Sequence, residues 1–383
     1  MRIPVRFIRA AVLGLTVAGL SGCGLFSSPD ARFDPAPLVD YTPTLSVATR
    51  WSTSIGSGGD YGFAPQLVGD TVYAATPSGA VAAVDLASGA VRWRVGDEPL
   101  QAGVGSDGRT TAVVTGKGVV VAYDAQGKEL WRSQAASAVN VPPAVGNGIV
   151  AVRTTDYRIQ AFDESTGKLR WNVQRPGPAL ALRTSIRMAV VPNLLIAGMP
   201  NGRLLVIDAA SGAVRWEGSV SASRGASDLE RISDVVGEPL AAGPLLCGVS
   251  YQGRITCFDV SQGGRAIWSQ DIASSTGMTM DGQHLYLPDM RDVVHALDLK
   301  DGHELWKQSS LLNRRLSAPA VAGRAVAVGD FEGYLHFLSR ADGSPMARLQ
   351  VGGGPITSAL LATPRGVVVQ TGGGNLMLVG VGD

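Results

Sequence analysis

Three cysteines, four histidines and one glycine-rich string are the places where this 383-residue chain has the residue types for chemistry. Cys247 and Cys257, in "CGVSYQGRITC", stand at equal offsets from Gln252, the centre of an expected hairpin. Equal offsets put two residues opposite each other on antiparallel strands, with side chains on one face. A disulfide is then open to them in an oxidising compartment; the alternative is two reduced thiols packed as small apolar groups. His284, His295, His303 and His336 are spread over two repeats, without an H-E-x-x-H pattern or a Cys partner at ligand spacing. They read as solvated or turn residues. "GVGSDG", Gly103 to Gly108, matches G-x-G-x-x-G, yet it precedes a strand instead of opening a helix, so it reads as a hairpin. The acids belong mostly to recurring turns, and no isolated carboxylate pair stands out for acid–base work. No catalytic residue, metal or cofactor is expected.

Cys23 carries a different chemistry. Arg2, Arg6 and Arg9 precede "AAVLGLTVAGL", an apolar run of 11 residues, too short to span a bilayer and of the length of a signal h-region. The run leads into "LSGC", Leu20 to Cys23, which resembles the lipobox of bacterial lipoproteins. The resemblance implies cleavage before Cys23, lipid on its thiol and new amine, and, with Gly24 rather than Asp next, delivery to the outer membrane. Residues 1–22 are then a signal peptide. The remaining chain has 30 basic and 32 acidic side chains, a net charge of −2. Such a balance lacks the basic footprint that nucleic acid requires. "GLFSSPDARFDPAPLVDYTPT", Gly24 to Thr44, is rich in Pro, Ser and Asp without periodicity, so residues 23–44 read as a lipidated flexible tether.

What must position any site is a repeat. "AVDLASGAVRW", "AYDAQGKELW", "AFDESTGKLRW", "VIDAASGAVRW", "CFDVSQGGRAIW" and "ALDLKDGHELW" align Asp85, Asp124, Asp163, Asp208, Asp259 and Asp298. They also align Trp93, Trp131, Trp171, Trp216, Trp268 and Trp306. A seventh copy, "FLSRADGSPMA", has Ser339 and Ala347 at those two positions. Between these strings lie short Val-rich runs and Gly-containing turns, the signature of strands buried on both faces. Gly, 49 residues or about 13%, is nearly twice its usual ~7%. An Asp at a strand end accepts from turn amides, the Gly takes positive φ, and the Trp offers a plate to a neighbouring sheet. A unit of about 40 residues with four strands is a propeller blade. Trp51 has nothing before it to complete a blade, while the C-terminal "GGGNLMLVGVGD" stops one strand short, with Gly380 at the Asp position. The expectation is all-β: one domain over residues 45–383, an eight-bladed propeller of four-stranded antiparallel blades, its last blade closed by the N-terminal strand.

The repeat resembles the PQQ-type blade shared by quinoprotein dehydrogenases and non-enzymatic relatives. A motif present in every blade cannot mark one active site. The adjacent Cys pair of the dehydrogenases is missing, since Cys23, Cys247 and Cys257 are far apart in sequence. A lipid-anchored eight-bladed propeller of this kind resembles the BamB family, accessory lipoproteins of the outer-membrane β-barrel assembly machine. "LALRTS" (Leu180 to Ser185), "LERISDV" (Leu229 to Val235), "LLNRRLSAPAV" and "GDFEGYLHFL" carry the likeness beyond a generic blade. It implies a non-catalytic scaffold binding the POTRA domains of BamA, and unfolded barrel precursors as possible further partners. Two alternatives stay open: a quinoprotein-type oxidoreductase, and a propeller holding a sugar or peptide in its channel.

The Trp171–Trp216 and Trp216–Trp268 spacings, 45 and 52 residues, place surplus length around blades four and five, where loops on a rigid scaffold carry function. Leu180 and Leu182 share a face if extended, as a buried strand or as an exposed apolar anchor; Arg183 follows. Ser227-x-x-Glu230 has the spacing of a capping box, and Asp234 beyond it is placed to pair with a base on a partner. The resemblance implies BamA contacts at Leu180, Leu182, Arg183 and Asp234; a second Asp of the family pattern is Val236 here. The anchor is directly testable: Cys23→Ser should abolish labelling by radioactive palmitate and release the protein from membranes, and unchanged labelling would refute the lipobox assignment.

Overall fold

The structure, a computed structural model, describes residues 31–59, 61–178, 182–222, 225–227 and 229–382; Cys23 and Leu180 lie outside them. Eight antiparallel sheets of four strands each make up the fold. In blade 1 the strands Gln66–Val68, Thr71–Ala75, Val81–Asp85 and Val91–Val95 lie side by side in sequence order. Blades 2 to 7 repeat this over residues 100–134, 144–174, 188–219, 235–270, 279–308 and 320–350. The eighth blade takes three strands from residues 361–381, and Val47–Ser54 pairs with Asn375–Val381 as its outer strand. First strands of neighbouring blades touch around the ring, so they line the central channel. This is the eight-bladed propeller, closed by its N-terminal strand, that the repeat requires.

Burial follows the strand's place in the blade. Inner strands such as Thr71–Ala75 and Ile149–Arg153 are buried at every residue, with a sheet on either side. The outer strand Leu169–Gln174 buries only alternate residues, because one face meets water. Between blades, the repeat tryptophans do more than pack. Trp51 Nε1 donates to Leu86 O at 2.9 Å, Trp131 to Glu164 O at 2.8 Å, Trp171 to Ala209 O at 2.9 Å and Trp268 to Leu299 O at 2.9 Å. Trp93 and Trp306 make the same bond to Ala125 O and Arg340 O. The acceptor each time is the residue after the motif Asp, or after Ser339, in the next blade. The indole also lies flat over the glycine of that turn: a Cβ on Gly212 would sit 2.7 Å from Trp171 Cγ. The glycine is thus fixed twice, by φ of +75° and by the ring above it.

Blade 7 breaks the series. Ala347 stands where the Trp belongs, opposite Phe337, and the junction with blade 8 is filled by Leu45, Met346, Val351, Ile356 and Leu360 instead. Leu45 directly follows the segment read as a tether, and the second half of that segment is docked rather than flexible. Asn313 Nδ2 donates to Arg32 O (2.9 Å) and Asp34 O (3.0 Å). Arg314 Nη1 donates to Ala36 O (3.0 Å), and Arg348 Nη1 to Val39 O (3.1 Å). Arg324 Nη2 reaches Thr44 O at 2.6 Å, while Leu38 packs into the core between blades 6 and 7. Residues 32–44 are therefore a strap across the outside of blade 7, held mainly through its own backbone carbonyls. The strings "LLNRRLSAPAV" and "GDFEGYLHFL" supply most of the clamp.

Two histidines also differ from expectation. His295 and His336 are buried rather than solvated. Burial opposes a charge on His295, but Asp289 and Glu304, 3.4 and 2.8 Å away, outweigh it and its pKa rises. Burial pulls His336 down despite Asp330 at 2.9 Å. Asp330 also takes Arg314 Nε at 2.8 Å, so the strap clamp rests on a buried ionic cluster. His284 is half-buried beside Asp281, and His303 is exposed.

The Trp-on-glycine dock can be separated from backbone strain by two substitutions. Gly243 has φ of +58° and open space where a Cβ would stand, whereas Gly212 faces the Trp171 ring. Gly243→Ala should cost about 1 kcal/mol, the left-handed strain alone. Gly212→Ala should cost about 2 kcal/mol more, by prising the indole off the turn. Urea unfolding midpoints decide it, and equal losses would show the dock to be dispensable.

Candidate functional site

Antiparallel order assigns the loops to two faces. Turns between first and second strands, and between third and fourth, share one face; second-to-third loops and the blade-to-blade connections share the other. The two longest connections, 175–187 and 220–234, both lie on the connection face, flanking blade 4. The strap begins on this face, at Asn313, and descends to the turn face at Arg324.

Both connections are stitched to blade edges. Ile186 bridges to Gly237, Gly237 N donates to Ser185 O at 2.7 Å, and Arg187 N donates to Gly237 O at 3.0 Å. In the second connection Ser227 and Glu230 form the reciprocal capping contacts. Glu230 N donates to Ser227 Oγ at 3.3 Å, and Ser227 N to Glu230 Oε2 at 3.0 Å. Those bonds hold one turn rather than a regular helix. Ser227 and Ala226 amides draw the Glu230 carboxyl below its usual range.

The sequence-predicted residues separate here. Arg183 is exposed on the connection face. Leu182 is half-buried, packed against the core that holds Cys247 and Cys257. Leu180 lies outside the described residues. Asp234 is fully buried, so it is not offered to a base on a partner as its charge led one to expect. Its Oδ2 instead accepts Leu182 N at 3.1 Å, tying the two connections together. Burial pushes the Asp234 carboxyl up, against the Leu182 amide and the charge of Arg153. Arg153, itself buried, donates to Gly198 O at 2.5 Å, and burial pulls its guanidinium down. Sequence reasoning missed Leu229, 66% exposed on the capped turn. The signal was present, because an apolar residue just inside a capping box on a polar loop has no core to enter.

Cys247 and Cys257 face each other on the second and third strands of blade 5 and are joined by a disulfide, with Cα atoms 4.1 Å apart. They stand in a blade core, away from the channel. The channel encloses a cavity of about 240 Å³ with walls such as Ala64, Pro142, Ile186, Met278 and Leu360. One ion pair, Arg187 to Glu238 at 3.7 Å, links blades 4 and 5 there. At its mouth Asp292 spends its carboxylate on the Arg315 and Leu316 amides, at 2.7 and 2.9 Å. Among the described residues no group of three or more His, Cys, Asp or Glu is placed to hold a metal.

Fold and site together define an eight-bladed propeller that carries its structural surplus on one face, in loops pinned to rigid blade edges. The sequence matches the family described as "Outer membrane protein assembly factor BamB" over residues 77–308 and 291–381. A protein of that name from Bordetella pertussis is 54% identical over 377 residues, covering 98% of each chain. The chain belongs to the BamB family. The crystal structure of BamB from Moraxella catarrhalis superposes with a TM-score of 0.79 at 23% identity, over 88% of this chain and 100% of that one. A europium-containing methanol dehydrogenase shares the fold as well, with a TM-score of 0.69 at 16% identity over 85% of each chain. No helix among the described residues is long and apolar enough to cross a membrane.

The inward role of Asp234 has a measurable consequence. Asp234→Ala leaves the Leu182 amide and the buried Arg153 charge without their carboxylate, which should lower stability by about 2 kcal/mol or more. A surface ion-pairing residue would change chemical denaturation by less than about 0.5 kcal/mol, and that result would return Asp234 to the partner surface.

Proposed function

We propose that the protein is a non-catalytic scaffold of the outer-membrane β-barrel assembly machine. In this reading it is lipid-anchored through Cys23 on the periplasmic face of the outer membrane and grips the POTRA domains of BamA with its connection face. Membership of the BamB family supports the assembly role. The observation that carries the surface is the pair of long connections flanking blade 4, pinned by Asp234 and Gly237, with Arg183 and Leu229 on the outside. Arginine and an apolar side chain on a preorganised loop are the residue types that anchor interfaces. Leu180 is retained from the family resemblance, and Leu182 acts by seating the loop. Unfolded barrel precursors are a second class of partner for the same scaffold.

The strap supports a consistent orientation. Its described end begins on the connection face, eight residues after Cys23 in sequence, which at full extension reach about 30 Å. Anchor and docking loops then leave the propeller from one side, and a partner at the membrane meets both.

Arg183→Glu tests the surface. It should weaken capture of the barrel subunit by about 2 kcal/mol or more, roughly 30-fold, enough to lose it in co-purification from detergent-solubilised membranes. Thermal stability should stay within about 0.5 kcal/mol of the parent. Undiminished co-purification would remove Arg183 from the interface.

A further inference from the structure

In three blades the motif Asp and the residue before the Trp form a matched pair. Arg92 Nη2 meets Asp85 Oδ2 at 2.7 Å, Arg170 Nε meets Asp163 Oδ2 at 3.0 Å, and Arg215 Nη2 meets Asp208 Oδ2 at 2.7 Å. Each arginine sits at a β-bulge, where the register of the outer strand slips beside the Trp. The bulge turns the guanidinium back over the outer turn of its own blade.

Blade 8 keeps the arginine and lacks the acid. Arg50 sits at the same bulge, between Thr49 and Trp51, and the residue at the Asp position is Gly380. A Cβ on Gly380 would lie 2.3 Å from Arg50 Nε, so Arg50 occupies the space of the missing side chain. The third and fourth strands of this blade come from opposite ends of the chain, so no Asp-to-Gly turn joins them. A cleft of about 590 Å³ opens in its place, lined by Arg50, Arg324, Arg365, Thr363, Leu378 and Val381. Arg324 and Arg365 come from the first turns of blades 7 and 8. Among the described residues no carboxylate lines the cleft, and none lies within ion-pair distance of the three guanidiniums. Among the described residues, the one hydrogen bond that engages any of these guanidiniums is Arg324 to Thr44 O.

We infer that this cleft on the turn face binds a phosphate monoester dianion. Elsewhere the repeat satisfies this arginine with a carboxylate from its own chain; here it leaves the guanidinium open and adds two more. Planar guanidinium forks bind phosphate oxygens in pairs, and three of them suit two negative charges better than one. The cleft has room for a phosphate with a small substituent. It lies on the face opposite the docking loops, so ligand and protein partner bind independently, and the inference does not rest on the proposed function.

The test titrates the full-length protein in detergent with inorganic phosphate and, in parallel, with short-chain phosphatidate. Saturable binding by the parent protein is expected. Arg50→Gln should weaken it about tenfold or more. Gly380→Asp restores the repeat's own carboxylate and should abolish binding while leaving thermal stability unchanged or higher, which separates site loss from misfolding. Equal affinity for the two ligands assigns a soluble phosphate monoester, and tighter phosphatidate binding assigns a lipid headgroup. Absence of binding at millimolar phosphate, or unchanged binding in Gly380→Asp, would overturn the site.

Discussion

Each tryptophan lying across the turn glycine of the next blade is the contact on which the ring depends. A blade of four short strands has two apolar faces and cannot bury either alone. Face-to-face packing of Val, Ala and Leu supplies area but little direction, since such surfaces slide. The Trp removes that freedom. Its ring fits only where there is no Cβ, and the Nε1–H of Trp51, Trp93, Trp131, Trp171, Trp268 and Trp306 finds the carbonyl that follows the motif Asp or Ser339. The Asp in turn fixes that carbonyl by gathering the turn amides: Asp85 Oδ1 takes Ala87 N at 3.1 Å and Ser88 N at 2.9 Å. Asp, Gly and Trp are therefore one device divided between two blades, with the Asp and Gly on one side of the junction and the Trp on the other.

A closed ring needs the device at every junction or a substitute for it. Between blades 7 and 8 both halves are gone, Ala347 replacing the Trp and Gly380 the Asp. The substitute is the strap, which places Leu45 in the junction and ties Thr44 to the blade 7 turn through Arg324. The strap then continues as the outer strand of blade 8, whose Trp51 closes the ring on Leu86. One continuous stretch from Arg32 to Ser54 thus seals the weakest junction and completes the last blade. If Cys23 carries lipid, pull on the anchor bears directly on ring closure, and the buried Arg314–Asp330–His336 cluster beneath the strap resists it.

The ring was legible in the sequence because it is periodic. Six copies of Asp, Gly and Trp at near-constant spacing outweigh the ambiguity of any one strand, and the unequal ends required closure. The hairpin pairing of Cys247 with Cys257 was legible because it depends only on local register. Features that depend on distant residues were not. Pro, Ser and Asp gave the strap the composition of a linker, while its docking is decided by Asn313, Arg314 and Arg348, about 280 to 310 residues later. Asp234 read as exposed because an acid in a polar loop usually is; Arg153, two blades earlier in the ring, makes its burial tolerable. His295 and His336 were misplaced for a different reason: Asp289, Glu304 and Asp330 are near them in sequence, but it takes the folded blade to turn these side chains inward together.

Function in such a molecule gathers where the repeat departs from itself. A residue that keeps the motif is already committed to the neighbouring blade and is not free to bind anything else. Arg92, Arg170 and Arg215 are neutralised by their own blade; Arg50, in the same structural position, is not. The connections at 175–187 and 220–234 lengthen without disturbing a junction, because the docks lie on the opposite face from them. That separation is physical: the turn face holds the ring together, and the connection face is free to vary. The cleft at Arg50 is the exception on the turn face, and it exists only where closure removes the turn. Beside the channel the repeat is kept, and Asp292 there is spent on the Arg315 and Leu316 amides. The departures from the repeat lie at the rim and on the connecting loops, where no dock between blades constrains them.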